Sequence, residues 1–514
     1  MANDTPDTPP SVIVKNKGLL TAAIMLATVM QVLDTTIANV ALPHMRSSLG
    51  ASQDEINWVL TSYIVAAAIA TPLTGWVSDR VGRRTLMVGA VAGFTLASLL
   101  CGLAQSLPQM VLFRVIQGIC GAVMVPMAQS TLLDINPREK IGQAMAIFGA
   151  GIMVGPIIGP TLGGWLTETF NWRAVFLVNL PIGILAMAAL FAWMPKGTLL
   201  IRRFDFFGFA MLALSIACMQ LLLDRGQVVD WFNSIEIWLY LLASISGMWI
   251  FVVHCLTAET PFVDLAMFKD RNFSSGLVFI FIVGITMFSG LALLPPLLQS
   301  LMGYPVIETG IVMAPRGVGT MVSMILVGRL MSKIDPRALV FAGLLISAYS
   351  FYLMTGFDIT MDQTPIMISG VLQGLGLGMV FVPLSTLAFV TIAPKYRVDA
   401  TSFFSLVRNV GSGVGISLVT TVLAQMASVN HAELGERINL TSPAFQQMLG
   451  KAGAASGQVM ATLDGLVAQQ ATMVAYLDDF WLMVIVTLIS VPIVFMLRPG
   501  DRKAKIDPAH AMAE

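Results

Sequence analysis

Residues 18–42 read GLLTAAIMLATVMQVLDTTIANVAL, a run with a single charge, Asp34. A helix rises about 1.5 Å per residue, so this run can cross roughly 30 Å of hydrocarbon. It is too long for the apolar core of a signal peptide. Pro43-His44-Met45 beyond it is no small-residue cleavage site, so the run stays as a first membrane span.

Similar runs recur along the 514 residues and predict spans at 19–42, 56–77, 85–105, 109–133, 143–167, 174–194, 206–224, 235–257, 275–299, 306–331, 338–357, 365–392, 403–428 and 479–497. The chain is 56% hydrophobic and 11% charged, with a mean hydropathy of +0.81. Soluble domains carry about 25% charged residues, so this chain lacks the charge to cover a water-facing surface. The expectation is an all-α polytopic membrane protein with fourteen helices, its partner the lipid bilayer. A formal net charge of zero leaves no nucleic-acid signature. Cys101, Cys120, Cys218 and Cys255 lie in or beside apolar runs and read as small core residues. No CxxC or His/Cys cluster suggests a metal.

Charge placement orients the spans. With the N-terminus inside, 21 of the 29 Lys and Arg fall in cytoplasmic segments, five fall outside (Arg46, Arg173, Arg225, Arg437, Lys451) and three within spans (Arg114, Arg316, Arg408). That bias follows the positive-inside rule and places both termini in the cytoplasm.

The chain also repeats. Gly75-Trp76-Val77-Ser78-Asp79-Arg80-Val81-Gly82-Arg83-Arg84 after span 2 has a degraded copy from Gly328 to Arg337 after span 10, and Gln117-Gly118 recurs as Gln373-Gly374. Val125-Pro126 recurs as Val382-Pro383, and Pro137-Arg138 as Pro394-Lys395. This predicts a six-helix half over 1–195, a two-helix insertion over 196–274 and a second half over 275–514. Substrate sites in such folds lie between the halves near the midplane. The outer stretch 429–478 begins polar and turn-like. From Gly457 its apolar residues take helical spacing toward span 14.

Four features carry chemistry. Gly75, Asp79, Arg80, Gly82 and Arg83 form a tight basic loop whose ion pairs would have to break when the halves rock; a simple positive-inside anchor is the competing reading. In span 5, Gly151, Gly155, Gly159 and Gly163 line one face while Pro156 and Pro160 remove backbone donors. Ordinary close packing is the alternative there. Asp34 is the one acid placed deep in a predicted span, where a carboxylate costs at least about 2.5–3.5 kcal/mol. A carboxylate balanced between desolvation and a nearby cation can load and release a proton, or serve as a structural ion pair. Arg114 lies at a matching depth in span 4 and is the natural partner. Gln31, Asn39, Gln117, Arg316 and Gln373 are candidates for lining a substrate cavity, although the glutamines equally suit interhelical hydrogen bonds. There is no phosphate-cradling GxxxxGK[ST] loop, which leaves an ion gradient as the energy source and no cofactor beyond it.

Taken together, the chain resembles the drug:proton antiporters of the major facilitator superfamily, in the fourteen-span EmrB-type branch of multidrug exporters. The resemblance runs over 15–498. It rests on Leu33-Asp34-Thr35-Thr36-Ile37-Ala38-Asn39, the Gly75–Arg84 loop, Arg114-Val115-Ile116-Gln117-Gly118, the Gly-Pro run of span 5 and Asn179-Leu180-Pro181-Ile182-Gly183. It implies proton coupling at Asp34 and Arg114, an antiporter motif in span 5 and an inner gate at the Asp79/Arg80/Arg83 loop. It further implies a bacterial inner membrane, hydrophobic drugs as cargo, and a periplasmic membrane-fusion adaptor with an outer-membrane channel as partners, the outer stretch being a docking element. Gly370 stands where the repeat would place a counterpart of Arg114, so coupling is expected mainly in the first half. An uptake symporter, a non-transporting sensor and a membrane-embedded enzyme are the rivals; the span 5 run speaks against the first, the deep charges against the second, and no His/Asp/Ser or metal constellation supports the third.

Overall fold

The computed structural model of the chain describes residues 14, 16–137, 140–197, 199–200, 203–331, 333–436 and 456–496, with backbone alone at 53, 54, 456–459 and 496. Arg138, Arg437, Lys451, the stretch 437–455 and the chain ends lie outside the described residues.

Every expected span is a helix. They are α1 (Lys17–Leu49), α2 (the bent pair Trp58–Ala70 and Leu73–Val81), α3 (Arg83–Leu103), α4 (Leu107–Ile135), α5 (Ile141–Thr169), α6 (Ala174–Trp193) and α7 (Phe206–Arg225). There follow α8 (Ile235–Thr257), α9 (Arg271–Leu301), α10 (Val306–Leu330), α11 (Pro336–Met354), α12 (Gln363–Val390), α13 (Arg397–Glu436) and α14 (Ser456–Ser490).

Proline sets the interruptions. Its ring clashes with the carbonyl four residues earlier, and it donates no hydrogen bond. Helix α4 breaks at Ala122–Val123 ahead of Pro126, α5 at Met153 ahead of Pro156, and α6 at Val178 ahead of Pro181. The two segments of α2 meet at 61° around Pro72. These breaks lie inside the protein, where neighbouring helices re-satisfy freed backbone groups.

The last two helices correct the sequence reading. Residues 429–436, expected as turn-like, continue α13 without interruption. The amphipathic segment expected from Gly457 forms one continuous helix with span 14. Hydropathy marks where a helix enters water, and these two helices do not stop there. The longer α14 also places Asp479 well inside a helix, wholly buried, with neither carboxylate oxygen hydrogen-bonded. Asp34 is therefore not the only deep acid.

Packing repeats along the chain. Helix α1 packs on α5 and α6, α2 on α4, and α3 on α4 and α6. In the same order α9 packs on α13 and α14, α10 on α12, and α11 on α12 and α14. Helix α5 crosses to α10 and α12, and α13 crosses to α2 and α4. Helix α7 touches both α2 and α13, whereas α8 packs essentially on α7 alone and exposes Trp238, Leu242 and Trp249 outward.

Candidate functional site

A row of small residues brings α1 and α5 together at the depth of Asp34. A Cβ built on Gly155 would stand 2.8 Å from Val32 Cγ1 and 3.0 Å from the backbone nitrogen of Leu33. Gly151 faces Met25, Gly159 faces Thr36 and Gly163 faces Ile37. The Thr36 hydroxyl donates to the Gly155 carbonyl at 3.3 Å. The opposite face of α5 meets α10 through Ile157 against Gly317 and Thr161 against Gly310. The glycine spacing thus clamps α1, with Asp34 midway along it, to a helix that also reaches the second half.

Asp34, Arg114, Gln117 and Asn179 are all 0% exposed. Arg114 Nη1 donates to Asp34 Oδ2 at 2.7 Å. Asp34 Oδ1 accepts from Gln117 Nε2 at 2.9 Å and from Asn179 Nδ2 at 2.7 Å. The guanidinium is held on further sides: Nε donates to the Val59 carbonyl at 3.0 Å, Nη1 also reaches Gln117 Oε1 at 2.7 Å, and the group lies 4.3 Å over the Tyr63 ring. Gln31 donates to the Tyr63 hydroxyl at 3.1 Å. Asn179 also donates to Ser98 Oγ at 2.9 Å, and Ser98 donates to the Phe176 carbonyl at 2.9 Å. Arg114 Nη2 and Asn179 Oδ1 have no hydrogen-bond partner. A dry carboxylate is stable as an anion only with a cation and donors around it, and this cluster supplies both.

The structure therefore joins Asp34, Arg114 and Gln117 directly, and Gln31 through Tyr63. Asn39 is exposed and stands outside the cluster. Arg316 and Gln373 lie in the second half, away from Asp34. Tyr63 and Asn179 were not legible as site residues; Asn179 stood only inside a family-like motif. Asn179→Ala is expected to lower the unfolding free energy by about 1–3 kcal/mol, because a buried acceptor loses its donor. Thermal melting of the purified variant checks this, and an unchanged melting temperature contradicts it.

The basic loop lies at one end of the bundle, near α4 and α13. Asp134 at the end of α4 pairs with Arg83 of the loop and, at 2.6 Å, with Arg397 Nη1 at the start of α13. Thr401 of α13 also donates to the Pro126 carbonyl at 3.1 Å. Gly75 lies directly against the Asp399 carboxylate, and in the second copy Gly328 lies against Ala146. Gly82 takes φ 85°, a left-handed conformation suited to glycine, and lets the chain turn into α3. Arg80 lies 5.4 Å over the Trp76 ring, and the Asp79 carbonyl accepts from Leu200 N–H at 2.8 Å. Gly75 thus meets α13 directly and Arg83 reaches it through Asp134, and the sequence reading did not name Asp134, Arg397 and Asp399 as partners of the loop.

Comparison with known proteins matches residues 24–416 to the family described as Major Facilitator Superfamily. The chain is similar to multidrug export protein EmrB of Escherichia coli (strain K12), 34% identical over 488 residues that cover 94% of this chain and 95% of that one. It is 35% identical over 472 residues to EmrB of Haemophilus influenzae, covering 90% and 92%. To fatty acid resistance protein FarB of Neisseria gonorrhoeae it is 34% identical over 490 residues, covering 93% and 96%. Its fold is similar to that of the human organic anion transporter MFSD10, with a TM-score of 0.58 at 15% identity, covering 91% of this chain and 99% of that one. The proton:xylose symporter XylE gives 0.55 at 15% identity, covering 92% and 95%. At such identities the structural likeness speaks for the fold alone.

Proposed function

We propose that this chain, which belongs to the Major Facilitator Superfamily, exports hydrophobic toxic compounds across a bacterial inner membrane in exchange for protons. It is a multi-pass membrane transporter and not an enzyme. The multidrug export relatives support the class of cargo. The observation that carries the proton coupling is the wholly buried pair of Asp34, on the helix that α5 clamps, with Arg114 of α4.

In this reading the halves 1–195 and 275–514 rock about their interface, and the 196–274 insertion rides between them. The end bearing the Gly75–Arg84 loop is cytoplasmic, and Asp134 between Arg83 and Arg397 is part of the lock that holds it shut. Asp34 takes a proton while the site faces out. Neutralising it weakens its hold on Arg114, Gln117 and Asn179, and the proton leaves when the site faces in. The proton gradient is the sole energy source. A periplasmic adaptor and an outer-membrane channel complete the path, with the far ends of α13 and α14 as the docking element.

The test uses wild-type protein in inverted membrane vesicles with an imposed pH gradient. Adding a lipophilic cationic dye is expected to release protons from the vesicle lumen while the dye accumulates there. Dye movement in the same direction as the protons would establish the symport rival and overturn the proposal.

A further inference from the structure

The long helix α14 carries an acid that the Asp34 cluster does not use. Asp479 is 0% exposed, and neither of its carboxylate oxygens has a hydrogen-bond partner. Ala475, Tyr476, Phe480 and Met483 around it are buried as well. Gln469 of the same helix donates to the carbonyl of Leu301, the last residue of α9, at 3.1 Å. Asp479 follows that contact by ten residues, which is about 15 Å of helix, half the thickness of the hydrocarbon.

The helices packed on α14 are α9, α11 and α13, and they bring it no counter-charge. Helix α9 has no titratable residue from Asn272 to Leu301, and α13 has none between Arg408 and His431. On α11 the titratable residues beyond Arg337 are Tyr349 and Tyr352, the latter 5.7 Å from the Trp481 ring. On α14 itself the neighbours are Tyr476 and Asp478. Asp34, in contrast, faces a guanidinium and two amide donors. A dry carboxylate with no cation and no donor bears the full cost of its charge, and a bound proton removes it. Among the described residues no group of three or more His, Cys, Asp or Glu is placed to hold a metal ion. A polar track leads from this acid toward the far ends of α13 and α14. Asp478 Oδ2 accepts from Asn430 Nδ2 at 3.4 Å, and beyond them the exposed side chains of His431 and Asp464 meet at 3.0 Å.

We infer that Asp479 is a second proton-binding site, in the second half, and that each cycle exchanges two protons for one cargo molecule. The inference rests on the exchange reading and deepens it by fixing its stoichiometry. Asp479 takes its proton over the Asp478–Asn430 track while that end is open to water. It holds the proton as a neutral acid when α14 is packed as here, and ionises when water reaches it from the cytoplasmic side. Asp34, with its fixed cation, stays obligatory: without it neither proton is exchanged. The rival role for Asp479 is a permanently neutral acid that only fills space.

The experiment uses the full chain in proteoliposomes and a permanently monocationic dye under two driving forces. One is an acidic lumen without a potential; the other is an interior-positive potential at equal pH. Two protons exchanged for one monovalent cation move one net charge, so the potential is expected to concentrate dye in the lumen about tenfold per 60 mV. Dye leaking through lipid moves the opposite way, out of a positive lumen. One proton exchanged for one cation moves no net charge, and the potential then concentrates nothing. In Asp479→Asn, accumulation under the pH gradient is expected to fall from about a hundredfold to about tenfold per pH unit, and the response to potential to vanish. Asp479→Glu should restore both. Wild type that follows the pH gradient but ignores the potential overturns the inference, and this comparison needs no variant to fold. An Asp479→Asn protein that still follows the potential overturns it too and leaves the acid permanently neutral. Wild type that concentrates dye under neither force strikes the exchange reading itself, and the second proton falls with it.

Discussion

Asp34→Asn is expected to bring drug-induced proton release from proteoliposomes down to the protein-free background. The amide keeps the shape of the side chain and removes the only charge that faces Arg114 at 2.7 Å. Breaking a buried ion pair from one side costs about 3–5 kcal/mol. The isosteric amide keeps part of that, because it still accepts one hydrogen bond and the Asn179 amide can rotate to accept another through its unpartnered Oδ1. The variant should therefore fold and bind dye, with binding measured by fluorescence. Coupled transport equal to wild type would remove Asp34 from the proton path. Loss of dye binding together with folding would mark the pair as structural.

Gly155→Val is expected to have the second-largest effect, through geometry alone. The new Cβ would meet the Leu33 backbone nitrogen at 3.0 Å, and backbone cannot rotate aside. Overpacking of this kind costs about 1–3 kcal/mol or more. Helix α1 must move away from α5, carrying Asp34 off the Arg114 and Asn179 donors. A displacement near 1 Å at a site of this type costs on the order of a hundredfold in rate. Dye efflux by cells expressing the variant, normalised to the amount of protein in the membrane, checks this; activity within twofold of wild type contradicts it.

The fourteen spans were legible because each is a run of dry residues, and dryness is a property of composition. The Asp34–Arg114 pair was legible because rise per residue places both side chains at similar depth. Depth leaves rotation about each helix axis undetermined. Asn179 and Tyr63 therefore came into view only when α6 and α2 had been turned against α1. The Asp134–Arg397 pair joins residues 263 apart whose neighbourhood depends on how α4 meets α13. Asp479 looked like a helix-end acid because the apolar run begins beside it, while the helix itself starts at Ser456. The glycine row of α5 was legible as one small-residue face, and the structure adds that this face packs against α1.

Helix α7 deserves a mechanical reading. It rests on both α2 and α13: Arg225 lies 5.9 Å over the Trp58 ring on one side, and Gln220 meets Gly413 on the other. Its union with α8 is stiffened by a reciprocal pair of bonds, Ser215 Oγ to the Ser244 carbonyl at 2.8 Å and Ser244 Oγ to the Ser215 carbonyl at 3.0 Å. The hairpin therefore lies as one unit across the contact of α2 with α13, and an acyl chain approaching from that flank meets α8 before it meets either of them.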